Sequence, residues 1–177
     1  MCSLEALKID LKELKEGLNS CEFQLDDNYF EVINAPEVRR GELCVVLSIR
    51  KTGALFELDS HIVGSIHIPC DRCLDDMEQP INTDNRLVVK LGETHSEEND
   101  LLIVPEDKGI LDLSWIIYEF VALSIPIKHV HIPGKCNPAM IEMLAEHTAT
   151  RSSNGLDEES TDPRWSGLEQ LKTILKE

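Results

Sequence analysis

Aromatic side chains are scarce in this sequence: Phe, Trp and Tyr make up 5% of its 177 residues. That is too few for an obvious platform of rings on which successive bases could stack. Positive charge is also short. Seventeen Lys and Arg face thirty-three Asp and Glu, for a formal net charge of −16. Non-specific nucleic-acid binding needs Lys or Arg to displace counterions, and here the global field repels a phosphate backbone. A basic protein is the more natural partner; solubility alone is the other explanation of the acidity. No apolar run approaches the roughly 20 residues that span a bilayer, so no membrane association is expected. The first residues carry no basic stretch followed by an apolar core, and the expectation is a cytoplasmic protein without a secretory signal. The nine glycines are scattered and build no phosphate-cradling loop. A Gly-x-Ser-x-Gly elbow is absent. Carboxylates are abundant, but no pair stands out as an acid/base couple.

What is present is a chain of single-domain size, long enough to bury roughly 70% of its unfolded surface without a staple. Six cysteines at irregular spacing do not form a disulfide framework, and reduced thiols are expected. Cys2, Cys21 and Cys44 stand alone and read as small buried apolar residues.

Between Cys21 and Leu91 the pattern is mostly β. Residues 22–25, 29–33, 43–50 and 55–68 read as strands, with Lys51-Thr52-Gly53 as a turn and Pro69 ending the last of them. Ile62, Gly64, Ile66 and Ile68 share one parity, and Val63, Ser65 and His67 the other. Ile81 and residues 86–91 continue the sheet. Upstream, residues 4–16 suggest a short strand followed by a helical turn. Consecutive strands without intervening helices favour an antiparallel meander. Residues 92–100 read as an acidic loop and 101–104 as a short strand.

Asp112-Leu113-Ser114 then opens the strongest helical pattern. Leu113, Ile116, Ile117, Phe120, Val121 and Ser124 fall on one face, with Trp115, Tyr118 and Ala122 beside it, and Pro126 closes it. Glu119 is the only formal charge between Asp112 and Lys128. It is either a solvent-facing or hydrogen-bonded structural group or a site residue. A second short helix spans 138–147. The resulting expectation is an α+β fold with an antiparallel sheet, open or barrel-like, and two or three helices. Residues 1–147 form a single domain in this reading, 148–161 a flexible acidic linker and 162–177 a C-terminal amphipathic helix. Asp162-Pro163 supplies that helix's cap and first-turn proline, and Trp165, Leu168, Leu171 and Leu175 its stripe.

The densest chemistry lies in Cys70-Asp71-Arg72-Cys73 together with His129, His131 and Cys136. Two cysteines three positions apart can direct both sulfurs to one point, as in half of a tetrahedral zinc site or a redox pair. His129 and His131, two apart, would share a face on a strand, and Cys136 follows the Pro133-Gly134 turn. Cys70, Cys73, His131 and Cys136 make up a Cys3His set suited to structural zinc. Three alternatives stay open: an unliganded reduced pair, a reversible disulfide, and surface histidines at a strand end. A thioredoxin-like site expects its CxxC where a strand meets a helix. Here Asp75, Asp76 and Glu78 should also oppose thiolate formation. Arg39-Arg40 and Arg50-Lys51 are the densest basic spots and would form one patch if the strands brought them together.

Three segments in order resemble the YceD family, the large ribosomal RNA subunit accumulation proteins. They are Ile68-Pro69-Cys70-Asp71-Arg72-Cys73-Leu74; the run from Ile110-Leu111-Asp112 through Glu119 to Ile125-Pro126, followed by a His and a Cys; and Asp162-Pro163-Arg164-Trp165 with Leu168, Leu171 and Lys172. The matching residues are Cys70, Arg72, Cys73, Asp112, Glu119, Pro126, His131, Cys136, Pro163 and Trp165, whereas His129 has no clear counterpart. The resemblance implies a bacterial-type cytoplasmic factor supporting 23S ribosomal RNA accumulation and large-subunit assembly, without a known catalytic activity. Joined to the charge, it implies an acidic adaptor for a basic ribosomal protein or an RNA-processing factor. Arg72, Asp112, Glu119, Pro163 and Trp165 are then candidate partner-binding residues. The rivals are a zinc- or thiol-dependent enzyme using Cys70 and Cys73, and a module binding ribosomal RNA directly through a local basic patch.

Overall fold

The computed structural model describes residues 4–92, 96–98 and 101–148. It divides the chain into two compact units, Met1–Ile141 and Glu142–Glu177. The first holds every strand among the described residues. A short 3-10 helix (Leu4–Leu7) leads into β1 (Lys8–Asp10), and β2 (Gly17–Leu25) follows. Helix α1 (Asp27–Val32) precedes three long strands, β3 (Arg40–Thr52), β4 (Leu55–Pro69) and β5 (Asp76–Gly92). Short strands β6 (Ser96–Glu98), β7 (Leu101–Pro105) and β8 (Ile110–Asp112) come next, then α2 (Ser114–Ser124) and α3 (Pro138–His147). The fold is α+β, as expected.

The main sheet has the order β2-β3-β4-β5-β7-β6. Strands β2 to β5 form the antiparallel meander. Strand β7 joins β5 in parallel, and β1 pairs with β8 in a separate two-stranded sheet. The main sheet is open, with β2 and β6 as its edges, so it does not close into a barrel.

Alternation decides the faces. On β3, Leu43, Val45, Leu47 and Ile49 point inward, and on β4 so do Phe56, Leu58, Ile62, Ile66 and Ile68. Glu42, Val46, Asp59, His61, Val63 and His67 point outward on the same strands. The inner face packs with α1, α2 and the β1–β8 ribbon in one continuous core. Each such side chain contributes roughly 1.5–3 kcal/mol of burial, which offsets the entropy of ordering the chain.

Several local expectations change. In residues 4–10 the helical turn precedes the strand rather than following it. Residues 29–33 belong to a helix and its end, not a strand. The Asp26 side chain accepts from the Tyr29 amide at 3.3 Å and caps α1, and this cap overrides the β preference of Tyr29, Phe30 and Val32. The two rings meet edge to face, and the Tyr29 hydroxyl donates to the Ser114 carbonyl at 2.7 Å, tying α1 to α2. Strand β5 is unbroken, because every residue from Asp76 to Lys90 has a partner on β4. Within the expected acidic loop, Ser96–Glu98 forms a strand against β7.

On α2, Tyr118 belongs to the core face with Ile117 and Val121, because its hydroxyl finds the Glu37 amide at 3.3 Å. Cys21 and Cys44 are half-buried rather than buried, being on opposite faces of adjacent strands. The expected linker (148–161) and C-terminal helix (162–177), with Pro163 and Trp165, lie outside the described residues apart from Thr148. Among the described residues no helix is long and apolar enough to cross a membrane.

Candidate metal centre

Strands β4 and β5 are joined by a tight connection containing Cys70, Cys73 and Leu74. Its backbone is closed by the Leu74 amide donating to Cys70 O and the Cys70 amide donating to Asp75 O, each at 2.9 Å. Leu74 has φ +62, a left-handed conformation unusual for a branched side chain. The turn holds both cysteine side chains inward: Cys70 is fully buried and Cys73 is 2% exposed.

The segment after α2 returns to this turn. The Asp71 amide donates to His129 O at 2.9 Å, and the His129 amide donates to Asp71 Oδ2 at 2.8 Å. His131 and Cys136 thereby arrive beside the two buried sulfurs. The candidate ligand atoms of Cys70, Cys73, His131 and Cys136 all lie within 4.8 Å of one another. Cys70 Sγ is 3.9 Å from Cys136 Sγ, and Cys73 Sγ is 3.3 Å from His131 Nδ1. These four are the residues expected from spacing. The backbone at His129 and His131 is irregular rather than a strand. His129 turns away: its Nδ1 donates to Pro126 O at 3.0 Å and its Nε2 sits 3.2 Å from Asp71 Oδ1.

The surroundings supply the electrostatics. Burial opposes ionisation of Cys70. The amides of His131, Arg72 and Cys73 and the Cys73 side chain more than compensate, bringing the thiol down to about 6. No acidic neighbour is among the causes acting on Cys70, whereas the amides that donate to its sulfur favour the thiolate. The Cys70 side chain is also the chief cause that raises the His131 ring above its ordinary value, against burial. Burial and the neighbouring thiols push Cys136 up to about 11. A thioredoxin-like arrangement is not formed, since the turn runs from strand to strand with no helix at its end.

The other candidate residues take structural places. The Arg72 amide donates to Cys70 Sγ at 3.4 Å while its side chain faces solvent. Asp112 Oδ1 accepts from the Ser114 amide at 2.9 Å, just before the start of α2, whose cap position is Leu113. Glu119 accepts from the Trp115 indole at 2.8 Å on the exposed side of that helix. The two basic spots are not brought together. Arg40 and Arg50 sit at opposite ends of β3, about 33 Å apart at the rise of a strand. Arg39 and Arg40 instead line a cleft of about 700 Å³ with His67 and His129, where Arg40 is ion-paired with Asp76. Sequence reasoning missed this cleft. The Arg39-Arg40 pair was its only trace, because the two histidines arrive from β4 and from the segment after α2.

An open-sheet α+β domain, whose Cys3His cluster sits at one end of the β4–β5 pair, is the class that fold and site define. A family model described as large ribosomal RNA subunit accumulation protein YceD matches residues 58–172. The chain belongs to the YceD family. No curated protein and no solved structure matches it.

Proposed function

We propose that this protein is a non-enzymatic cytoplasmic factor that supports 23S ribosomal RNA accumulation and assembly of the large ribosomal subunit. It acts by binding a basic ribosomal protein or an RNA-processing partner. The family match over residues 58–172 carries the reading. The net charge of −16 supports the choice of partner, since a cationic surface gains most from such a field. Glu22, Glu42 and Glu78 project from the outer face of the sheet, where Asp59 and Asp84 pair with Arg86 and His61; acidic groups outnumber Arg50, Arg86 and Lys90 on that face, which favours a cationic partner. Depleting the protein should lower 23S RNA and large-subunit levels, and a pull-down at moderate salt should recover a basic protein. Unchanged 23S RNA and subunit levels on depletion would refute the assembly role.

Direct contact with ribosomal RNA is favoured by one observation, the convergence of Arg39, Arg40, His67 and His129 on one cleft. Phosphate contacts there would make affinity fall steeply with added salt, whereas a flat salt response removes this reading.

A further inference from the structure

We propose that Cys70, Cys73, His131 and Cys136 bind one Zn²⁺ ion, which fastens the segment following α2 to the β4–β5 turn. The inference is independent of the ribosomal reading.

The first argument is dimensional. A tetrahedral zinc with Zn–S near 2.3 Å and Zn–N near 2.05 Å places two sulfurs about 3.8 Å apart, and a sulfur and a nitrogen about 3.6 Å apart. The cluster shows 3.9 Å for Cys70 Sγ to Cys136 Sγ and 3.3 Å for Cys73 Sγ to His131 Nδ1. The sulfur separation is nearly twice that of a disulfide.

The second argument is the histidine tautomer. His131 Nε2 lies 3.3 Å from the Asp76 carbonyl oxygen, which can only accept. The hydrogen therefore sits on Nε2, and Nδ1 turns its lone pair toward the sulfurs. A metal-binding imidazole is oriented in this way, by giving its other N–H to a carbonyl. The amides of Arg72 and His131 both donate to Cys70 Sγ at 3.4 Å, as donors to a metal-bound thiolate would.

The donor set then selects the ion. Three thiolates and one imidazole in a compact group suit zinc, whereas magnesium and calcium require oxygen donors.

The third argument is what the ion would hold. Residues 127–137 contain no helix or strand. Ile127 is fully exposed and Ile132 is 73% exposed, so neither anchors the segment in the core. Its tethers run to the turn instead: His129 to Asp71, the His131 amide to Cys70, and the Asn137 side chain to Asp75 at 3.2 Å. With so little apolar burial, a metal bond is the attachment that the segment otherwise lacks.

The test uses the full chain. Elemental analysis should find about one zinc per chain. Cobalt(II) put in its place should give intense thiolate-to-metal absorption and the bands of a tetrahedral ion. Cys136→Ser should weaken zinc binding on the order of a hundredfold, the loss of one of four bonds. His131→Cys should keep zinc and shift the cobalt spectrum toward four sulfurs, which guards against a variant that simply misfolds. Chelation should speed tryptic cleavage at Lys128 and Lys135 on the order of tenfold while the sheet stays intact. A reduced chain that takes up no zinc, or a Cys70→Ser/Cys73→Ser variant that binds it equally well, overturns the site. Cleavage rates that ignore chelation overturn its fastening role.

Discussion

Gly64 lies in the middle of β4 and pairs with Leu43 of β3. A β-carbon there would stand 2.1 Å from Glu42 O and 2.9 Å from Leu43 Cα, both rigid backbone atoms. Its φ of +153° falls where side chains are rarely found. Gly64→Ala must therefore hold an alanine in that conformation, at about 1–3 kcal/mol, and also part the two strands. Losing two ladder hydrogen bonds adds about 2 kcal/mol. The total is roughly 3–5 kcal/mol, or a fall of roughly 6–20 °C in Tm for a chain of this size. Gly53 is the control, at φ +61 in the β3–β4 turn with nothing within 4 Å of an added β-carbon. Gly53→Ala meets only the conformational cost, about 1–2 kcal/mol. Urea and thermal unfolding followed by far-ultraviolet circular dichroism separate the two variants. If Gly64→Ala were no more destabilising than Gly53→Ala, close approach of the strands at this point would not be what requires glycine.

Metal-free protein should show a thiolate ionising near pH 6 by ultraviolet absorbance, absent in Cys70→Ser. Because the folded value lies below the ordinary 9.0, the contribution of Cys70 to the metal-free fold is complete above that pH and is lost as pH falls through about 6. His131, raised above its ordinary 6.5, contributes fully below that value and loses its share as pH rises through the folded value. A first thiolate emerging only near pH 9 would show that the surrounding amides do not stabilise the anion. Asp112→Ala should cost about 1 kcal/mol of stability by removing the acceptor of the Ser114 amide, with Asp112→Asn largely retaining it, as read from urea midpoints. Equal midpoints for Asp112→Ala and the parent would mean that water satisfies the Ser114 amide as well as the carboxylate does.

Much of this protein was legible from local pattern. The β-branched run on β3 and the partial alternation on β4 determined the strands and their meander, because a strand turns successive side chains to opposite sides. The Cys-x-x-Cys spacing determined that two sulfurs could meet, and the run from Asp112 to Pro126 determined a helix. Local preference failed where a single long-range or capping contact outweighed it. Tyr29 and Phe30 look like strand residues, yet the Asp26 cap and the Tyr29 hydroxyl's reach to Ser114 make them helical. The choice of His131 over His129 was already legible, and the tertiary structure supplies its physical reason: Asp71 engages His129, and the Asp76 carbonyl orients His131. Only the tertiary structure parted the two basic spots, because strand length separates residues that composition would have grouped. Spacing along a chain limits what can meet, but the meeting of Cys70 and Cys136, sixty-six residues apart, is a property of how the sheet and the segment after α2 are stacked.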